Sequence, residues 1–139
     1  MELITKEKGL ALIELYQYKN LKELDINDRA ARFESLMKDR QFAYHFEAST
    51  NEPSYYGANR SRLLLEQIIP EIEELGKQPV YYFFTLLATP GARFMIDDFD
   101  AMSDFLQANE DIEIAWTLHE NEVDGEPNTI TMHLIAIID

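Results

Sequence analysis

The chain has 139 residues, 46% of them hydrophobic and 12% aromatic, enough apolar material for one domain with its own core and too short a length for two. Lys and Arg number 12 against 26 Asp and Glu, a formal net charge of −14, which argues against a nucleic acid or an anionic membrane as partner because both are bound through basic side chains. The absence of cysteine removes disulfides and thiolate chemistry and fits a reducing compartment.

The first residues lack the basic start and long apolar segment of a signal peptide, and no apolar run reaches the ~20 residues of a spanning helix. A cytoplasmic protein is the expectation. Leu10, Leu12, Ile13, Leu15, Tyr16 and Tyr18 recur at helical spacing and predict an amphipathic helix over residues 5–18. Asn27 or Asp28 then caps a second helix that turns Ala31, Phe33, Leu36 and Met37 inward and ends near residues 38–40.

Residues 41–49 alternate, with Phe42, Tyr44 and Phe46 on one face and Ala43, His45 and Glu47 on the other, which predicts a half-buried strand. A loop over 51–57 leads to a helix with Leu63, Leu64, Ile68 and Ile72 as its apolar stripe, kinked or split at Pro70. Val80 to Ala88 is apolar almost throughout, the pattern of a strand buried on both faces and placed at the centre of a sheet. Asp97, Asp98 and Asp100 load the start of the next helix, whose inward face is Phe99, Met102, Phe105 and Leu106.

Two more alternating strands follow, residues 112–119 and 129–138, read as an antiparallel hairpin around Asp124-Gly125. The order predicts an α/β (α+β) two-layer sandwich, with a four-stranded mixed sheet closed by a C-terminal hairpin and packed with helices. It forms a single domain over 1–139, in which 1–23 is an N-terminal helical segment and 24–138 the body.

Catalytic chemistry finds little footing. The carboxylates Asp97, Asp98, Asp100 and Asp104 can serve acid/base chemistry or hold a hard cation, yet a helix start explains them fully. His119 and His133 are expected to approach across the hairpin, but no close-spaced metal-ligand motif accompanies them. No nucleophile elbow and no glycine-rich phosphate loop occurs. No cofactor and no metal is therefore expected, and the protein reads as not an enzyme. Tyr55 and Tyr56 in the loop before Gly57 either anchor a protein interface or fold back on the sheet.

Several segments follow one another in an order met elsewhere. Ile26-Asn27 precedes a helix ending Leu36-Met37-Lys38-Asp39, and Phe42 to Ser49 follows it as a strand. Gly57-Ala58-Asn59-Arg60 opens a helix; Val80 to Ala88, Met95-Ile96-Asp97-Asp98-Phe99, Asp111 to Trp116 and Thr129 to Ala136 complete the series. From Leu24 to Ile138 this succession resembles the C-terminal half of the FtsZ family of tubulin-like cell-division GTPases.

The resemblance implies a tubulin/FtsZ C-terminal-domain-like fold that stands alone, without the family's GTP-binding half or its glycine-rich signature. In that family the loop before this helix carries Asn-x-Asp-x-x-Asp and completes the neighbouring subunit's GTPase site. Here Asn27 matches, while Arg29 and Arg32 stand where the two acids would be; a shifted register lets Asp25 and Asp28 keep the Asp-x-x-Asp spacing, but the first register keeps the following helix in phase. The resemblance implies a protein-interaction domain that modulates or caps FtsZ-type filaments or self-associates. Asn27, Arg29, Arg32, Tyr55, Tyr56, Asn59 and Arg60 are its candidate interface. The net charge of −14 supports a different class, an acidic immunity or decoy module for a basic protein.

Overall fold

The computed structural model describes residues 1–15, 25–52, 60–92, 94, 96–119 and 126–138. Among them the elements run β1 (Glu2–Thr5), α1 (Lys6–Leu15), α2 (Asp25–Leu36), β2 (Phe42–Thr50), α3 (Arg60–Glu74), β3 (Pro79–Ala88), a 3-10 turn (Ile96–Phe99), α4 (Asp100–Ala108), β4 (Glu113–His119) and β5 (Ile130–Ile138). The strands form one five-stranded sheet in the order β1-β2-β5-β3-β4. It is mixed: β3 and β4 are parallel, and the β1–β2, β2–β5 and β3–β5 pairs are antiparallel.

The four strands expected from alternation are all present, and β1 adds a fifth at the edge. Glu2–Thr5 was expected to be part of the helical N-terminal segment; its four residues are too few to show a period. Through β1 that segment joins the same sheet as the body.

The expected terminal hairpin does not form. β4 and β5 are consecutive in the chain, but β3 lies between them. Alternation identifies a strand without naming its neighbour. Here α4 acts as the crossover of a β3–α4–β4 unit, which returns the chain parallel to β3, and β5 then pairs on the other side of β3. The middle strand is accordingly β5, with β3 beside it.

Helices cover both faces, so the arrangement has three layers where two were expected. On one face Tyr82, Phe84 and Leu86 of β3, with Phe46, Met132 and Leu134, pack against Leu64, Leu65 and Ile68 of α3 and Met102 and Phe105 of α4. On the other, Tyr81, Phe83, Ile135, Ile137 and Ala43 meet Ile4 of β1, Ile13 of α1, and Phe33 and Met37 near the end of α2. Strands that are apolar on successive residues, as β3 and the second half of β5 are, need cover on both sides. In α1 the buried residues are Gly9 and Ile13, whereas Leu15 is exposed; Tyr16 and Tyr18 lie outside the described residues.

α3 continues through Pro70 to Glu74 and is not split. Pro70 is on an exposed side of the helix, where water can serve the carbonyl four residues earlier that loses its amide partner.

α1 and α2 pack together at Gly9, where a Cβ would overlap the tip of the buried Phe33 ring. That ring is fixed edge-on against Phe83 at a centroid separation of 5.5 Å. Gly9→Ala is expected to lower stability, because overpacking of ~1–3 kcal/mol opposes the ~1 kcal/mol that alanine gains over glycine within a helix. In urea unfolding, Phe33→Leu should then cost less in the Gly9→Ala background than alone. Equal costs in both backgrounds would show that the two residues do not compete for space.

Candidate interaction site

The first turns of α2 carry three of the sequence-predicted site residues. The backbone of Asn27 belongs to α2, while its side chain lies outside the described residues. Arg29 and Arg32 follow almost one turn apart and border an open cleft of about 580 Å³ between α2 and strand β4, together with Ser35, Tyr81 and Glu113.

The two arginines diverge from there. The guanidinium nitrogens of Arg29 are buried, and its side chain also borders the narrow gap between the α1–α2 layer and the sheet, beside Ile13, His45, Thr85 and His133. Arg32 remains at the surface. Its Nη2 donates to Glu113 Oε2 at 3.3 Å, with 45% and 67% of the two side chains exposed, and its guanidinium carbon stands 5.5 Å from the Tyr81 ring centroid.

An exposed ion pair contributes ~0–1 kcal/mol, and an exposed cation–π contact ~0.5–1 kcal/mol. Arg32 is thus a cation that a partner can recruit at small cost. Burial, with the Glu113 carboxylate adding to it, pushes the Tyr81 hydroxyl above its ordinary pKa.

Arg60 does not belong to this surface. It is 1% exposed; its Nη2 donates to Asp98 Oδ2 at 2.6 Å, and its Nε and backbone N–H donate to Asp98 Oδ1 at 2.9 and 3.1 Å. Asp98 therefore acts as a cap for α3 supplied from elsewhere in the chain and ties the 3-10 turn to that helix. An enclosed guanidinium with a bidentate partner cannot also serve as an interface residue. Tyr55, Tyr56 and Asn59 lie outside the described residues.

Asp98 also dissolves the expected carboxylate cluster. It faces inward onto Arg60, Asp100 and Asp104 are exposed, and the side chain of Asp97 is outside the described set. Among the described residues no three His, Cys, Asp or Glu side chains gather as a metal ion requires, and no helix is long and apolar enough to cross a membrane.

The histidines pair differently from the expectation. With β3 between β4 and β5, His119 lies opposite Leu87 and His133 opposite Thr85, so these two do not meet. Instead His133 Nδ1 and His45 Nε2 are 3.0 Å apart. The pair became possible only because β5 lies beside β2, an adjacency that no periodicity reveals. Next to it, Thr85 and Thr117 bring their hydroxyls to 3.2 Å, continuing a polar row across the sheet.

A groove of about 810 Å³ separates α3 from α4, floored by Leu65, Tyr82 and Phe105 and rimmed by Glu66, Glu73 and Asp104. Burial pushes the Tyr82 hydroxyl up to about 12, which keeps it a neutral donor. The groove offers an apolar floor without a converging set of reactive groups.

No protein-family model matches the chain, and no curated protein matches its sequence. Solved structures do. An empty FtsZ dimer of M. jannaschii superposes with a TM-score of 0.52 and 8% identity, over 78% of this chain and 30% of that one. A tryptophan-to-tyrosine mutant of FtsZ from the same organism gives a TM-score of 0.56 and 14% identity, over 91% of this chain and 35% of its own. The chain thus spans about a third of the length of the FtsZ chains it matches, 30% and 35%. At these identities the likeness is one of fold, and the fold is the FtsZ C-terminal-domain-like one that the order of segments implied.

Proposed function

We propose that this protein is a non-enzymatic interaction domain that docks on an FtsZ-type GTPase in the cytoplasm and modulates or caps its filaments. The observation that carries the reading is the extent of the fold match, which takes in 78–91% of this chain but 30–35% of FtsZ. The matched fold is the FtsZ C-terminal-domain-like one, which supports reading this domain as a surface for pairing. The docking surface is the start of α2, with the exposed Arg32 at the cleft beside β4 as its contact residue.

The purified domain, added to the FtsZ of the same cell, is expected to change light scattering or GTP turnover in a dose-dependent way. No change in either at a several-fold molar excess would reject the reading. The net charge of −14 favours the immunity or decoy alternative, which predicts a basic partner whose association rate falls steeply with salt. A pull-down that recovers a basic protein and no FtsZ would select that alternative.

A further inference from the structure

We propose that His45 and His133, neighbours on β2 and β5, form a proton-operated latch beneath the α1–α2 layer: while the pair shares one N–H the layer packs over it, and full protonation of the pair loosens the layer. His45 Nε2 and His133 Nδ1 are 3.0 Å apart. The ring planes are within 11° of parallel and the centroids 5.2 Å apart, close to the largest separation that a 3.0 Å contact between ring atoms allows. The rings therefore lie end to end, with one nitrogen donating and the other accepting.

That arrangement counts protons. The neutral pair supplies one N–H and one lone pair to the contact, and a first extra proton can go to an outward nitrogen without disturbing it. A second extra proton puts an N–H on both facing nitrogens, which then repel.

The surroundings make the second proton costly. Leu12 and Ile13 of α1, Arg29 of α2, and Phe83 and Thr85 of β3 border the same gap, so two imidazolium charges would be half-buried beside apolar groups and a guanidinium. Glu47 lies opposite His133 and Glu2 opposite His45; both favour the charged ring, while Lys8 and the chain's amino terminus oppose it at His45. Burial outweighs the carboxylates, holding His45 below its ordinary pKa and His133 at about 4. Since the folded values are below the unfolded ~6.5, the stabilisation is complete above that pH and is lost as pH falls toward 4.

Hydrogen exchange at pH 7.5 and pH 5, corrected for intrinsic rates, tests the latch in the wild type and in His133→Gln, which can hydrogen-bond His45 but cannot acquire charge. On acidification, protection of α1 and α2 amides should fall about tenfold or more beyond that of α3, and His133→Gln should abolish the difference. Parallel loss in both layers, or an undiminished response in the variant, overturns the proposal. Should the variant fail to fold, imidazole nitrogen shifts of the wild type decide. Linked titration with both rings below the ordinary range supports the latch, and two independent titrations near ~6.5 refute it.

Discussion

Asp98→Ala is expected to cost ~3–5 kcal/mol, because removal of one member of a buried ion pair leaves the other charge enclosed without its counter-ion. Asp98 and Arg60 are 2% and 1% exposed, and the carboxylate takes three donations from Arg60, one of them the backbone N–H that starts α3. A domain of this size is stable by ~5–15 kcal/mol, so the substitution removes a large share. Asp98→Asn, which keeps an acceptor for the helix start and loses the charge, should lie between wild type and alanine. Arg60→Met combined with Asp98→Ala should cost less than the sum of the single changes, since it removes the stranded charge. Urea unfolding of the set checks this; a loss below ~1 kcal/mol for Asp98→Ala would mean that water reaches the pair.

Removal of residues 1–15 is expected to abolish cooperative folding, although the sequence presents them only as part of an N-terminal helical segment outside the body. Ile4 and Ile13 are 1% and 3% exposed, and burial of each contributes ~1.5–3 kcal/mol. Their loss also uncovers Phe33, Ala43, Ile135 and Ile137, which share that core. Deletion of β1 further leaves β2 as an open edge at Phe42–His45, a template for association between chains. Size-exclusion chromatography and near-UV dichroism should report an associated or loosely packed species; a monomer with an unchanged unfolding midpoint would show that the N-terminal residues are an appendage.

Local periodicity exposed most elements but few neighbours. The run Val80 to Ala88 announces a strand covered on both faces, yet two layers were expected, because which helix covers which face depends on contacts such as Phe33 with Phe83. Ile112 to Leu118 and Ile130 to Ile138 alternate as strands should, and nothing in that alternation tells that β3 intervenes. The order of short segments, including Gly57-Ala58-Asn59-Arg60, was enough to indicate the fold. It was not enough to tell an interface residue from an internal one, because Arg60 looks the same in sequence whether its partner is another protein or Asp98. The His45–His133 contact was illegible for a related reason: the residues are 88 positions apart and meet only through the β2–β5 register.

Co-pelleting with GTP-assembled filaments of the same cell's FtsZ most directly tests whether this domain docks on such polymers. Saturable recovery of the domain in the pellet is predicted, with Arg32→Glu needing about tenfold more protein for half-saturation. A domain left wholly in the supernatant at every concentration would contradict it.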